Sequence, residues 1–248
     1  MKFKYFINLN NNLSYNLFMK IQEFIKQEFN SFTKKEKIFF PIIMLTIILI
    51  SIITKDSKLA LIGALCSVTY TLLAGKGKLY CFILGLIGTA IYAYFTLQNH
   101  LWGKSLLYIF YYIPIQIISI FLWKKHLKKD SVDIIKTYLP IKQKFIYLGC
   151  TMALTIVCAF LFKMIGDYKP FFSSFIITFS ITAQLLATKR CIDQWGYWFF
   201  VNIATIILWT TLYLENKGPI SYIIVYIIYL ILSVYFFNTW KKEIKKME

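Results

Sequence analysis

Acidic side chains are scarce in this chain: 11 Asp and Glu stand against 28 Lys and Arg, and only 16% of the 248 residues carry charge. Soluble domains carry about 25%, so the shortage argues against a soluble fold. Histidine is scarcer still. His100 and His126 are the two in the chain, and both fall in loops, which speaks against histidine-based catalysis inside the fold. The five cysteines, Cys66, Cys81, Cys150, Cys158 and Cys191, form no C-x-x-C pair. All but Cys191 sit in apolar runs, so neither a disulfide framework nor a metal site is expected, and no cofactor is implied. A cleavable leader is not expected either, because the first long apolar run begins only near Ile38.

What the chain has in abundance is apolar length: 58% of its residues are hydrophobic and 19% are aromatic. Eight runs free of Asp, Glu, Lys, Arg and His can be read off, at 38–53, 59–74, 79–97, 105–123, 145–162, 171–188, 195–213 and 220–238. A spanning helix needs about 20 mostly apolar residues, and in lipid each backbone polar group must be satisfied within its own segment. The runs therefore predict eight transmembrane helices, an all-α integral membrane protein. Thr33 and Glu36 have capping-box spacing ahead of the first run. Pro170 and Pro219 fall at first-turn positions of the sixth and eighth.

The loop charges predict orientation. With eight spans both termini share a side, and that side holds 22 of the 28 Lys and Arg. Basic residues mark the cytoplasmic face, so a multi-pass protein of the bacterial cytoplasmic (inner) membrane with both termini cytoplasmic is expected. The net charge of +17 is then a topology signal that also suits contact with anionic lipid, and no nucleic-acid partner is needed to explain it. Residues 13–32 place Leu13, Leu17, Ile21, Phe24 and Ile25 at helical spacing, an amphipathic helix lying on the inner surface.

Spans two to four resemble spans six to eight. Each set has a small basic turn after its first span, Ala74-Gly75-Lys76-Gly77-Lys78 in one and Ala187-Thr188-Lys189-Arg190 in the other. Each ends on an aromatic-lysine cluster, Trp123-Lys124-Lys125 or Trp240-Lys241-Lys242. The two sets have the same orientation, as in parallel-repeat transporters such as the SWEETs, where the site lies between repeats near the midplane. The expected organisation is an amphipathic segment (1–37), an additional helix (38–54), a first three-helix repeat (55–124), a loop and linker helix (125–163), a second repeat (164–240) and a tail (241–248).

Span seven carries the densest polar and aromatic face. Trp195, Trp198, Asn202, Thr205 and Trp209 fall within an arc of about 80°. Indole faces attract cations and flat heterocycles, and an Asn both donates and accepts. Span six puts Ser173, Ser180 and Gln184 on one face. Span four gathers Tyr108, Tyr111, Tyr112 and Ser119 with Gln116 at the edge, and Pro114 should kink it and free carbonyls. Span eight lines up Tyr222, Tyr226, Tyr229 and Ser233. Gly85 and Gly88 in span three permit close helix contact. The candidate substrate-binding residues are Trp195, Trp198, Asn202, Gln184, Tyr108, Tyr112, Gln116, Thr205 and Tyr226. An interior with aromatic faces and neutral hydrogen-bonding groups suits a flat, cationic, hydroxylated solute.

The stretch Trp195-Gly196-Tyr197-Trp198-Phe199-Phe200-Val201-Asn202 reproduces a W-x-x-W-x-x-x-N motif. With Gly75-Lys76-Gly77 and the run from Leu107 through Gln116, it resembles the PnuC family of bacterial vitamin-precursor transporters, over roughly Glu36 to the end. The resemblance implies a three-one-three, SWEET-like bundle and facilitated diffusion of nicotinamide riboside, with phosphorylation trapping the solute inside. Some branches carry thiamine, riboflavin or deoxynucleosides, and Thr182-Ala183-Gln184-Leu185-Leu186 looks like the nicotinamide riboside branch. Family members often carry Asn at the position of Gly88, mirroring Asn202; here that group is missing. The partners expected are a small-molecule vitamin and the bilayer, and a homo-oligomer is compatible with both. The alternatives are another vitamin or nucleoside on the same fold, and, more distantly, a membrane-embedded enzyme or scaffold subunit.

Overall fold

The computed structural model describes residues 31–98, 102–129, 133–215 and 220–246. Nearly all of the amphipathic segment expected at 13–32 lies outside the described residues, as does Pro219. The chain divides into two compact units, Met1–Leu45 and Thr46–Glu248. In the first unit the capping box is formed: Thr33 N donates to Glu36 Oε2 at 2.8 Å and Glu36 N to Thr33 Oγ1 at 3.3 Å. It opens α1 (Lys34–Ile53), four residues earlier than the apolar run alone implied.

The second unit carries α2 (Lys58–Lys76), α3 (Cys81–Gln98), α4 (Trp102–Leu107), a π-helical segment (Tyr108–Tyr112), α5 (Ile113–Lys124), α6 (Ile141–Met164), α7 (Pro170–Thr188), α8 (Gln194–Leu214) and α9 (Ile220–Lys245). α4, the π segment and α5 make one continuous span. Among the described residues eight helices are long and apolar enough to cross a membrane. Several run past the uncharged stretch into flanking lysines, as α6 and α9 do, because a lysine stem stays in the apolar zone while its ammonium reaches water.

Tight turns of the same design follow α2 and α7, which run in the same direction. Gly77 N and Lys78 N donate to the carbonyls of Ala74 and Leu73, at 2.9 and 3.0 Å. Arg190 N and Cys191 N donate to those of Ala187 and Leu186, at 2.8 and 2.9 Å. Gly77 has φ +77° and Arg190 φ +59°. An arginine in this left-handed region costs about 1 kcal/mol, offset here because its Nη1 donates to Ile135 O at 2.9 Å and its carbonyl accepts from Thr137 N at 2.9 Å.

One short segment, 133–139, straps both turns at this lysine-rich end. Ile134 N donates to Gly77 O at 3.0 Å, and Ile192 N donates to Thr137 O at 2.8 Å. Charged groups reinforce it: Lys78 pairs with Asp133 at 2.7 Å, Lys136 with Glu243 of α9 at 2.8 Å, and Asp193 accepts from Leu139 N at 3.0 Å. Burial lowers the Lys136 ammonium below the ordinary lysine range, and Glu243 works against that fall. Burial likewise pushes the Cys191 thiol up to about 12, so it is held as a thiol.

Indole bonds tie the first set of helices (α2 to α5) to the second (α7 to α9) reciprocally. Trp123 Nε1 donates to Ala187 O at 3.0 Å, and Trp240 Nε1 to Gly75 O at 2.6 Å. Edge-to-face contacts support each indole: Phe82 on Trp123 at 4.8 Å and Trp195 on Trp240 at 5.8 Å. By turn and by contact, Phe82, Gly85 and Thr89 of α3 stand where Trp195, Trp198 and Asn202 stand on α8.

α6 packs on α7 through a ladder of hydroxyls. Thr151 pairs with Thr182 at 2.7 Å and Thr155 with Thr178 at 2.6 Å. The next rung in this antiparallel register would join Ala159 to Ser174, whose buried Oγ has no hydrogen-bond partner. A hydroxyl bond between helices in lipid contributes about 0.6–2 kcal/mol. Ala159→Ser should therefore raise the thermal unfolding temperature of the detergent-solubilised protein, and Thr155→Val should lower it. Unfolding curves that respond to neither change would show that the ladder does not hold α6.

Candidate functional site

α5 and α7 run in the same direction, toward the lysine-rich end, and meet along a polar seam. From that end outward, Trp123 bonds Ala187 O, and Ser119 bonds Thr188 across 2.8 Å. At the far side of the seam the Tyr112 hydroxyl lies near Ser180, and Tyr111 Oη donates to Ile181 O at 2.7 Å. The π segment makes this possible. Pro114 has no N–H to give, so the chain answers with a wide turn just before it, where Ile113 N reaches Tyr108 O. The kink expected at Pro114 is thus a π turn that swings Tyr111 and Tyr112 toward α7.

Between these rungs lie Gln116 and Gln184, three and four residues before Ser119 and Thr188, so each is about one turn back along its helix. Both are buried, at 4% and 3% exposure. Gln116 Nε2 donates to Thr89 Oγ1 at 2.7 Å. Its Oε1 and the Gln184 Nε2 have no hydrogen-bond partner. Tyr70 of α2 stands near both residues: its hydroxyl lies close to Gln184 without forming a hydrogen bond to its Nε2. Its ring shares with Gln116 Oε1 the space beside Gly85, where a Cβ would fall 2.8 Å from the ring and 2.5 Å from that oxygen. Glycine at position 85 therefore leaves room for both.

On α8 the motif residues separate by depth. Trp195 is 4% exposed and packs on Phe236 at 5.1 Å and on Trp240 at the lysine-rich end. Trp198, one turn further in, is half-buried and stacks on no other ring among the described residues. Asn202 is 5% exposed, and its side chain has no hydrogen-bond partner among the described residues. Thr205 spends its hydroxyl on Val201 O at 2.7 Å.

Tyr108, Tyr112 and Tyr226 belong to a separate aromatic cluster toward the other end. Tyr108 lies 6.1 Å from Tyr92 and 5.6 Å from Tyr112, and Tyr226 lies 6.0 Å from Tyr229. Trp209 stacks on Tyr222 at 4.3 Å. Ser173 donates its hydroxyl to Asp167 Oδ1 at 3.0 Å, just ahead of and in the first turn of α7.

One expectation needs correcting. The position in α3 that mirrors Asn202 is Thr89, not Gly88. A Cβ at Gly88 would fall 2.6 Å from Ser67 Oγ and 3.3 Å from Ser67 N, so Gly88 faces α2 in close helix contact. The first set of helices is not bare of polar groups at this depth, because Thr89 and Gln116 fill that place together. Thr89 and Tyr70 were missed from the sequence. Aligning the two basic turns residue by residue would have found Thr89, whereas nothing local singles out Tyr70.

No Asp, Glu, Lys, Arg or His lies along this seam, so it can hold a cation only through ring faces and dipoles. Amide and hydroxyl groups supply directional hydrogen bonds.

The model of the nicotinamide mononucleotide transporter family matches residues 57–242. A nicotinamide riboside transporter PnuC of Neisseria mucosa is 29% identical over 196 residues, covering 77% of this chain and 74% of that relative. The protein of the same name from Haemophilus influenzae is 27% identical over 229 residues, covering 90% and 96%. A solved structure of the vitamin B3 transporter PnuC superposes with a TM-score of 0.76 at 26% identity, covering 88% of this chain and 95% of that one.

Proposed function

The chain belongs to the nicotinamide mononucleotide transporter family, and on that premise we propose that it takes up nicotinamide riboside by facilitated diffusion. The observation that carries this reading is the free face of Trp198 beside Asn202, at the depth of two partly unpartnered buried glutamines. A pyridinium riboside presents one flat cation, one amide and several hydroxyls, and the seam offers a counterpart to each. Trp198 stacks on the pyridinium ring. Asn202 and Gln184 bind the carboxamide or the ribose. Trp195, with Phe236 and Trp240, closes the lysine-rich end.

That end is cytoplasmic, in keeping with the distribution of Lys and Arg, and an even number of spans assigns both termini to the cytoplasmic side. α2 to α5 and α7 to α9 act as two three-helix repeats with α6 as the linker, and their rocking exposes the seam to each side in turn. The chain carries out no chemistry on its solute. Phosphorylation inside the cell, by another protein, makes uptake productive.

The test is calorimetric titration of the purified, detergent-solubilised protein with nicotinamide riboside, with thiamine, riboflavin and thymidine as comparators. Binding of nicotinamide riboside alone is expected. Binding of thiamine with no response to nicotinamide riboside would move the protein to another vitamin and overturn the reading.

A further inference from the structure

Every rung of the α5–α7 seam is closed except one. Tyr111–Ile181, Ser119–Thr188 and Trp123–Ala187 are all hydrogen-bonded. At the intervening level the two glutamines leave an acceptor, Gln116 Oε1, and a donor, Gln184 Nε2, without partners. A buried amide atom with no partner costs free energy, and two such atoms of opposite kind on facing helices could cancel the cost by bonding each other. They do not. Gln116 is anchored by Thr89, and the Tyr70 ring occupies the space beside its free oxygen.

We propose that this open rung is the reader of a primary carboxamide on the solute. The idea rests on the nicotinamide riboside reading above and deepens it by naming the group recognised. A primary amide carries an N–H donor and a carbonyl acceptor side by side. Its N–H donates to Gln116 Oε1, and its carbonyl accepts from Gln184 Nε2. Both orphan atoms are satisfied at once, and the solute completes the seam. A carboxylate in the same place presents two acceptors, so the Gln116 oxygen would face another oxygen and stay unpaired. A solute with no substituent leaves both atoms unpaired. The rung therefore discriminates amide from acid without any charged side chain. Sites built to hydrogen-bond a polar group reject analogues lacking it, because buried protein groups are then stranded.

Ligand and protein are changed together in the test. Nicotinamide riboside, nicotinic acid riboside and the unsubstituted pyridinium riboside are titrated into wild-type protein, Gln116→Met and Gln184→Met, with thermal unfolding recorded for each variant. Wild-type protein should prefer the amide over both analogues by about ten- to a hundredfold. Each Met variant should lose most of that preference, its affinity for the amide falling much further than its affinity for the unsubstituted riboside. Variants that lose affinity for the amide and the unsubstituted riboside equally would show a merely structural role and overturn the proposal, leaving the transported solute unaffected. Wild-type protein that binds amide and acid alike would overturn it too. A wild-type protein that binds none of the ribosides overturns the transport reading along with it.

Discussion

Trp198→Ala is expected to weaken nicotinamide riboside binding about thirtyfold, because a desolvated cation–π contact contributes about 2 kcal/mol. The thermal unfolding temperature should hardly move. The reason is the position of the indole: it is half-buried, yet among the described residues it neither stacks on another ring nor donates its N–H to a protein acceptor. Trp198→Phe should keep part of the affinity, since a flat face remains. Trp195 makes the contrast, as it is wedged against Phe236 and Trp240, and its removal should cost stability first. Calorimetry and unfolding on the same samples decide the matter. Unchanged affinity in Trp198→Ala would remove that ring from the site.

Gly75→Ala should be the most damaging small substitution in the protein. A Cβ there would lie 2.3 Å from three atoms of the Phe236 ring, and Phe236 is wholly buried. The ring also packs on Trp195 at 5.1 Å, so moving it disturbs that indole. The Gly75 carbonyl also receives the Trp240 indole at 2.6 Å, so any shift of α2 breaks that bond as well. Overpacking costs about 1–3 kcal/mol and the lost bond adds about 1 kcal/mol more. Thermal unfolding in detergent should show a drop of several degrees. A second change, Phe236→Leu, should return part of it by vacating the space. If Gly75→Ala unfolds with the wild-type protein, α2 and α9 do not pack as described. The matching contact between α5 and α7 carries no such constraint, because Ser119 and Thr188 meet there through hydroxyls.

The spans were legible because lipid tolerates so few exceptions: a charge-free run is visible without knowing what it packs against. The Thr33–Glu36 cap and the Pro170 start were legible for a similar reason, since they concern only neighbouring residues. The π segment was half visible. Pro114 announced a disturbance, but whether the chain kinks or widens depends on what Tyr111 and Tyr112 gain from α7. Relations between distant helices were out of reach of periodicity. Nothing along α3 says that Thr89 anchors Gln116, and nothing along α2 says that Tyr70 stands beside both glutamines. The resemblance pointed to Gly88 as the mirror of Asn202, whereas the turns and contacts put Thr89, one residue on, in that place and leave Gly88 to helix packing. The strap at 133–139 was invisible as well, because its backbone bonds depend on turns far away in sequence.

The reciprocal indole bonds also set an order of events during synthesis. Gly75 leaves the ribosome 165 residues before Trp240, the group that will bond its carbonyl. Until then the end of α2 lacks its cover, and the Phe236 ring that fits against Gly75 is also still to come. The first helices must wait in the bilayer with that notch open, held by α2–α3 packing and by the 133–139 strap on the turn after α2. Closure is therefore a late and concerted step, made when the last helix docks, and a nascent chain stalled after α8 would present an unfilled groove to the membrane's quality-control proteases.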